Sequence, residues 1–483
     1  MKEWTREERY RVLKNKSELN HLYEINTSSV YRQNYHIQPI TGLSNDPNGF
    51  IYAQGKWHLF YQWCPWGPVH GLKYWYHVTS EDLVHWTNEG IGLAPDTLFD
   101  NKGCYSGSAI AVDDEVYFYY TGNHRNEDWE RTAYTCVAKL EDDGSLTKKA
   151  TPLFAPREDY SEHQRDPMVV YNKELKRYFI FIGARSQDER GCALVYTSEK
   201  PLEGWSFAGE LHVVGYEHFG GMWECPCITN IDGKDILIFS PQFTKLPGRG
   251  DCTNHNVYIV GHMDYETLTF TPKSHFRYLD YGFDFYAAQT AANASHHPVM
   301  IAWMGLPDNH YPSEKDEWEG AMTLPRRISV EGDRLIQTPV KAIENLRTQT
   351  LADNGHMSGA MEMDVTFTGG DAVINLFTKP NGYDGLTIEY DAMYRMITVN
   401  KAHMDQRFNT EVFEKLDIPL DEDLMNMRIF IDHSSVELFI NDGRYTFTAH
   451  VYPTIRENRY THTDNMDLTI YALGKSVDES FIL

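Results

Sequence analysis

The sequence has little that would tie it to a membrane, a nucleic acid or an oxidising compartment. Its longest apolar runs fall short of the ~20 residues a transmembrane helix needs. Positive charge is scarce: 44 Lys and Arg stand against 69 Asp and Glu, a formal net charge of −25. Nucleic-acid backbones and anionic lipid surfaces are bound through cations, so neither is expected as a partner. The residues from Met1 to Tyr10 are charged and helix-prone, without the apolar stretch of a secretory signal. Cysteine is sparse and odd in number, seven residues scattered from Cys64 to Cys252. That usage reads as reduced thiols and predicts a cytoplasmic protein. No Gly-rich nucleotide loop appears, and Gly103-Cys104-Tyr105-Ser106-Gly107 has the wrong spacing for a nucleophile elbow. Cys225 and Cys227 near His255 have no second cysteine pair at metal spacing, so neither metal nor cofactor is expected.

Aromatics, by contrast, are plentiful: 31 Tyr, 23 Phe and 11 Trp. They suit β-structure and flat surfaces against which a sugar ring can stack. From about residue 35 to 330 the text repeats with a period of ~60 residues, about four short strands per period. Radial repetition of four-stranded units is the pattern of a β-propeller, and five periods predict five blades. The first strand of each blade would line the central channel. The predicted organisation is all-β: an N-terminal helical segment over 1–30 (helix at about 3–24), a five-bladed propeller over 31–335, a linker with a short helix over 336–350, and a β-sandwich over 351–483. Strict alternation with tight turns, as in Met427–Asp432 and Ser435–Ile440, supports the sandwich.

Three carboxylates keep the register of the repeat. Asp46 lies in Asn45-Asp46-Pro47-Asn48-Gly49, Asp166 in Arg165-Asp166-Pro167, and Glu224 in Trp223-Glu224-Cys225-Pro226. They stand 120 and 58 residues apart, so a propeller would bring them to one mouth of the channel. Taken alone, Asp46-Pro47-Asn48-Gly49 is also a good type I turn, and the other two acids read equally well as surface charges. Their shared register favours chemistry. Glycoside hydrolysis needs one carboxyl group to protonate the leaving oxygen and a second carboxylate opposite it. Backbone N–H donors around Asp46 would keep it ionised as the nucleophile, while apolar and anionic surroundings suit Glu224 as the proton donor.

The ordered set of motifs resembles glycoside hydrolase family 32, the β-fructofuranosidases. It comprises Asn45–Gly49, Tyr61-Gln62, Tyr105–Ser108, Arg165–Pro167, Trp223–Pro226, Asp284–Ala287 and Trp303-Met304, with Asp432–Phe439 and Tyr452-Pro453 in the second domain. The resemblance implies a retaining mechanism through a fructosyl-enzyme intermediate. Asp46 would be the nucleophile, Glu224 the acid–base, and Asp166 the stabiliser of the transition state, with Arg165 beside it. Asn45, Gln62, Tyr105 and Ser106 would hold fructose, with Tyr286 and Trp303 lining the pocket. Leu43 and Ser44, where many members have Trp-Met, would also face substrate. The stretch Gly67–His77 is similar to members that cleave sucrose 6-phosphate, so His70 and Lys73, or Arg125 and Arg131, would meet a phosphate. The expected partner is a small sugar: sucrose 6-phosphate, sucrose or a short fructo-oligosaccharide. Rival readings are a fructan hydrolase, an inverting arabinan-type propeller glycosidase, and a sugar-binding protein without catalysis.

Overall fold

The structure is a computed structural model describing residues 3–294, 298–379, 385–454 and 458–483. Between residues 42 and 339, runs of aromatic and β-branched residues between Gly turns form antiparallel strands that gather into five sheets among the described residues. The first blade consists of Gly42–Ala53, Lys56–Cys64, Tyr74–Ser80 and Thr87–Leu93. The inner strands of the other four are Cys104–Val112, Tyr160–Asn172, Met222–Ile231 and Tyr286–Thr290. Each inner strand packs beside the next, and the fifth returns to the first. Two devices close the ring. Trp318–Glu319 pairs in parallel with Gly42–Leu43. Gln289 accepts from the backbone N–H of Phe50 at 3.0 Å and donates to the Gly107 carbonyl at 2.9 Å.

Two expectations need correcting. The helix predicted over 3–24 is broken into Arg6–Arg9, a 3-10 turn at Lys16–Leu19, and Asn20–Ser28. Thr5 with Glu8 and Asn15 with Glu18 each form a capping box, so each starts a new helix rather than continuing one. The fifth blade also runs past the predicted boundary at 335: Arg326–Glu331 pairs with a fourth strand, Arg334–Pro339.

The second domain holds a six-stranded sheet and a five-stranded sheet. Met363, Val365, Ile374, Leu376, Ile388, Ile429 and Leu438 fill the core of this domain, continuous with the apolar face of the propeller. The segment after it returns to the first blade. Ser476 accepts from the Trp86 N–H at 3.2 Å, and Asn88 donates to the carbonyls of Asp478 and Ser480 at 3.2 and 3.0 Å. Tyr76 donates to the Ile482 carbonyl at 2.8 Å. The open edge of Thr87–Leu93 is thereby covered, as an unpaired strand edge must be.

A buried charge network joins the two domains. Arg326, fully buried in the fifth blade, donates to Asp280 at 2.9 Å and to Glu437 of the sandwich at 2.6 Å. His36 meets Asp432 through Nδ1 and Glu437 through Nε2, both at 3.0 Å. With a carboxylate on each ring nitrogen the imidazole must donate from both, so it is the cation. Burial opposes that charge, but the two hydrogen bonds outweigh it and raise the His36 pKa to about 9. Against burial, the His36 contacts hold Asp432 below the usual carboxylate range, and Arg326 followed by His36 does the same for Glu437.

A pKa raised on folding stabilises the folded state fully below the unfolded value, and that stability is lost as pH rises through the folded value. The window here runs from 6.5 to about 9. The thermal midpoint of the protein is expected to fall across that window, by a free energy on the order of 3 kcal/mol. A His36→Gln variant should begin less stable by ~3–5 kcal/mol, since it strands buried carboxylates, and should lack the alkaline fall.

Candidate active site

All five inner strands break register at the same height. The irregularities fall at Asn45/Pro47, Tyr105/Gly107, Arg165/Met168, Glu224/Cys227 and Tyr286/Gln289. A bulge inserts an extra residue, bends the strand and re-aims a side chain. Pro47, Pro167 and Pro226 stand at three of these points, where a residue with no N–H to give the ladder is tolerated. Asp166, Cys225 and Ala287 adopt left-handed φ of 66°, 49° and 52°, strain of a kind that concentrates at functional sites. The Asp46-Pro47-Asn48-Gly49 motif is thus a bulge inside a strand and not the isolated turn it resembles in sequence. Gly49, at φ 54°, is required there: a Cβ would stand 2.7 Å from the Phe118 ring. Beneath the bulges the five strands enclose a cavity of about 20 Å³, lined by Pro47, Ser106, Asp166, Cys225 and Ala287 among others. It has room for about one water.

Above this cavity the bulges bring the three acids together. Asp46 Oδ2 accepts from the Ser106 hydroxyl at 2.5 Å and from Gln62 at 3.2 Å, and Oδ1 accepts from Asn45 at 2.9 Å. Lys73, itself buried, donates to the Asn45 side-chain Oδ1 at 2.5 Å and to His70 Nδ1 at 3.0 Å. Glu224 takes a two-pronged contact from Arg165, whose Nε lies 2.8 Å from Oε1. Its Oε2 accepts from Tyr286 at 2.7 Å. Asp166 Oδ2 accepts from the Cys225 N–H at 3.0 Å, while the N–H of Asp166 donates to Thr121 at 2.9 Å. The Cys225 thiol spans the group, 3.6 Å from Asp166 and 4.0 Å from Asp46.

The electrostatics follow from crowding. Burial raises Asp46 above the ordinary aspartate value, Lys73 and Ser106 draw it down, and Glu224 pushes it up. Asp166 reaches about 7, through burial first; Arg165 lowers it, whereas Glu224 and Asp46 raise it. Burial, with Lys73 and Arg9 close by, holds His70 neutral. The Tyr286 phenol and Cys225 thiol are pushed far up by burial and the surrounding carboxylates.

The structure therefore assembles Asn45, Asp46, Gln62, Ser106, Arg165, Asp166, Glu224 and Tyr286 in one hydrogen-bonded constellation, with Tyr105 half-buried beside Ser106. Trp303 forms the wall, its ring 6.4 Å from Tyr286 and 6.3 Å from His70, with its buried indole N–H unpartnered. Leu43 and Ser44 add no side-chain hydrogen bond to the constellation among the described residues; at 1% and 0% exposure they are as buried as Trp303, and Leu43 pairs beside Glu319. Thr121 and the Cys225 thiol were missed in the sequence. Cys225 stands next to Glu224, and its thiol enters the centre only because the bulge turns it inward; Thr121 comes from a second-row strand and carries no local signal.

Known proteins bear on this architecture. Two family models, described as Glycosyl hydrolases family 32 N-terminal domain and Glycosyl hydrolases family 32 C terminal, match residues 36–339 and 331–480. The chain is 37% identical to a sucrose-6-phosphate hydrolase of Staphylococcus xylosus, over 94% of both chains, and 35% identical to one of Bacillus subtilis over the same shares. Among solved structures, a sucrose-6-phosphate hydrolase of Lactobacillus gasseri superposes with a TM-score of 0.92 at 33% identity, covering 98% of this chain and 100% of that one. A Bombyx mori GH32 β-fructofuranosidase superposes at 0.83 with 28% identity, covering 96% and 100%. By sequence and by fold, this chain belongs to glycoside hydrolase family 32.

Proposed function

We propose that the protein is a retaining β-fructofuranosidase that hydrolyses sucrose 6-phosphate in preference to sucrose. The observation that carries this reading is the meeting of two carboxylates held by different partners at one mouth. Asp46 accepts three neutral side-chain donors, from Asn45, Gln62 and Ser106. Glu224 accepts from the Arg165 guanidinium and the Tyr286 phenol. In the first step the Asp46 carboxylate attacks the anomeric carbon of fructose. The glycosidic bond breaks, and its oxygen takes the proton of Glu224. In the second step Glu224 removes a proton from water, the hydroxide oxygen bonds to the same carbon, and Asp46 is released. Asp166 accepts hydrogen bonds from fructose hydroxyls while positive charge develops. Asn45, Gln62, Ser106 and Tyr105 position the ring, with Trp303 and Tyr286 behind it.

Relatives named sucrose-6-phosphate hydrolase support the phosphorylated substrate, and a Bombyx mori relative solved in complex with sucrose supports the disaccharide. Short fructo-oligosaccharides remain the second reading. We take 31–339 as the catalytic domain, since the fifth blade runs past 335 to Pro339, 340–346 as the linker, and 347–483 as the sandwich, since the strand Arg347–Leu351 already pairs in its six-stranded sheet. We also place the protein in the cytoplasm. No helix among the described residues is long and apolar enough to cross a membrane.

Four outcomes test this. On purified enzyme, kcat/KM for sucrose 6-phosphate should exceed that for sucrose by ~10-fold or more, about 1.4 kcal/mol of differential transition-state binding; equal values would remove the phosphate from the assignment. Glu224→Ala should lower kcat for fructose release by about 10²–10⁴-fold, and carbon NMR of the wild-type reaction should show β-fructofuranose first; unchanged release, or first formation of the α anomer, would reject the mechanism. Lys73 lowers the Asp46 pKa, so in Lys73→Met the acid limb of kcat/KM should move to higher pH.

A further inference from the structure

Beside Tyr105 lies a group of charges that the chemistry above does not use. The Arg131 guanidinium is 5.5 Å from the Tyr105 ring centre. Around Trp129 stand Arg6 at 4.4 Å, Arg125 at 5.5 Å and Lys102 at 5.6 Å. Tyr10 meets Trp129 edge-on at 5.1 Å, and the nearby Tyr105 phenol adds to burial in raising the Tyr10 pKa. None of these four cations has a carboxylate at ion-pair distance among the described residues. Their polar contacts are neutral, Arg131 Nε to Asn123 at 2.8 Å and Arg125 Nη1 to the Trp129 carbonyl at 2.7 Å.

Two donors go unmet. Arg125 Nε and Arg131 Nη2 are buried without a partner among the described residues, a costly state for an N–H of a charged group. Burial, with Arg165 and Arg125 nearby, disfavours the Arg131 charge, and only Tyr105 and Glu162 counter it. Cations seldom stay unpaired in a chain with 69 acids and 44 bases unless the missing anion arrives with a ligand. Lys73 is otherwise committed, since it binds Asn45 and His70. The position also fits: Tyr105 adjoins Ser106, which touches Asp46, so the cations stand one side chain from the nucleophile.

We propose that Arg125 and Arg131, with Lys102 and Arg6, form the subsite for the phosphate of the leaving sugar, and that Thr5–Tyr10 is a wall of that subsite. This rests on the sucrose-6-phosphate reading given above. It places the phosphate on the second blade and the N-terminal segment, away from the His70–Lys73 pair. The planar guanidinium forks supply paired donors to phosphate oxygens, as point-like ammonium groups do not.

The test compares kcat/KM for sucrose 6-phosphate and sucrose in wild type, Arg125→Met, Arg131→Met and Arg6→Ala. The ratio of the two values should fall at least ~10-fold in the first two variants and ~3-fold in the third, with inorganic phosphate losing potency as a competitor in parallel. A purely structural role in docking the N-terminal segment would lower both substrates together and leave the ratio intact. Arg6 is exposed, so Arg6→Ala keeps the test decisive should an inner arginine variant fail to fold. A wild type that prefers the phosphate while every variant keeps the ratio overturns the placement alone. A wild type without preference overturns the substrate reading and the subsite with it.

Discussion

Everything at the mouth of the channel follows from holding three carboxylates together out of water. Like charges at short range and burial both oppose ionisation, and the protein answers with two cations set differently. Arg165 grips Glu224 directly, whereas Lys73 reaches Asp46 only through Asn45. One acid is thus clamped by a guanidinium and another tuned by a remote ammonium. The aligned bulges make this possible. A regular strand would alternate its side chains into neighbouring blades; an extra residue at one height on every inner strand turns a side chain of each toward the axis.

Much of this was legible in the sequence, because a repeat of supersecondary units prints its period on the chain. The order of the blades and the meeting of Asp46, Asp166 and Glu224 follow from that period, and the sandwich from strict alternation with tight turns. What stayed illegible depended on contacts remote in sequence. Nothing local to Gly42-Leu43 announces that a strand at Trp318–Glu319, about 275 residues on, pairs beside it. The N-terminal charges read as one helix until the capping boxes at Thr5 and Asn15 are seen to restart it. Asp46-Pro47-Asn48-Gly49 has identical local chemistry as a turn and as a bulge, and only the neighbouring strand Lys56–Cys64 decides between them.

The domain junction shows a different economy of charge. Asp280, Arg326, Glu437, His36 and Asp432 form a continuous chain of buried ionic contacts. Replacing such a network with apolar residues is often neutral or favourable, so it is weak evidence for stability in itself. Its geometry is demanding, however. Glu437 must meet Arg326 from the fifth blade, His36 from the segment before the first, and the Leu324 N–H at 2.7 Å. A sandwich docked in any other register would strand at least one of these charges.

The cover on the first blade has a temporal meaning. Asn88 waits for Asp478, 390 residues further along the chain. During synthesis the outer edge of the blade that carries Asp46 therefore stays bare until both domains have been made. A nascent chain with a free strand edge is a template for pairing with a neighbour. The propeller is thus shielded late and from outside, and the final turn of the chain acts as a seal on assembly.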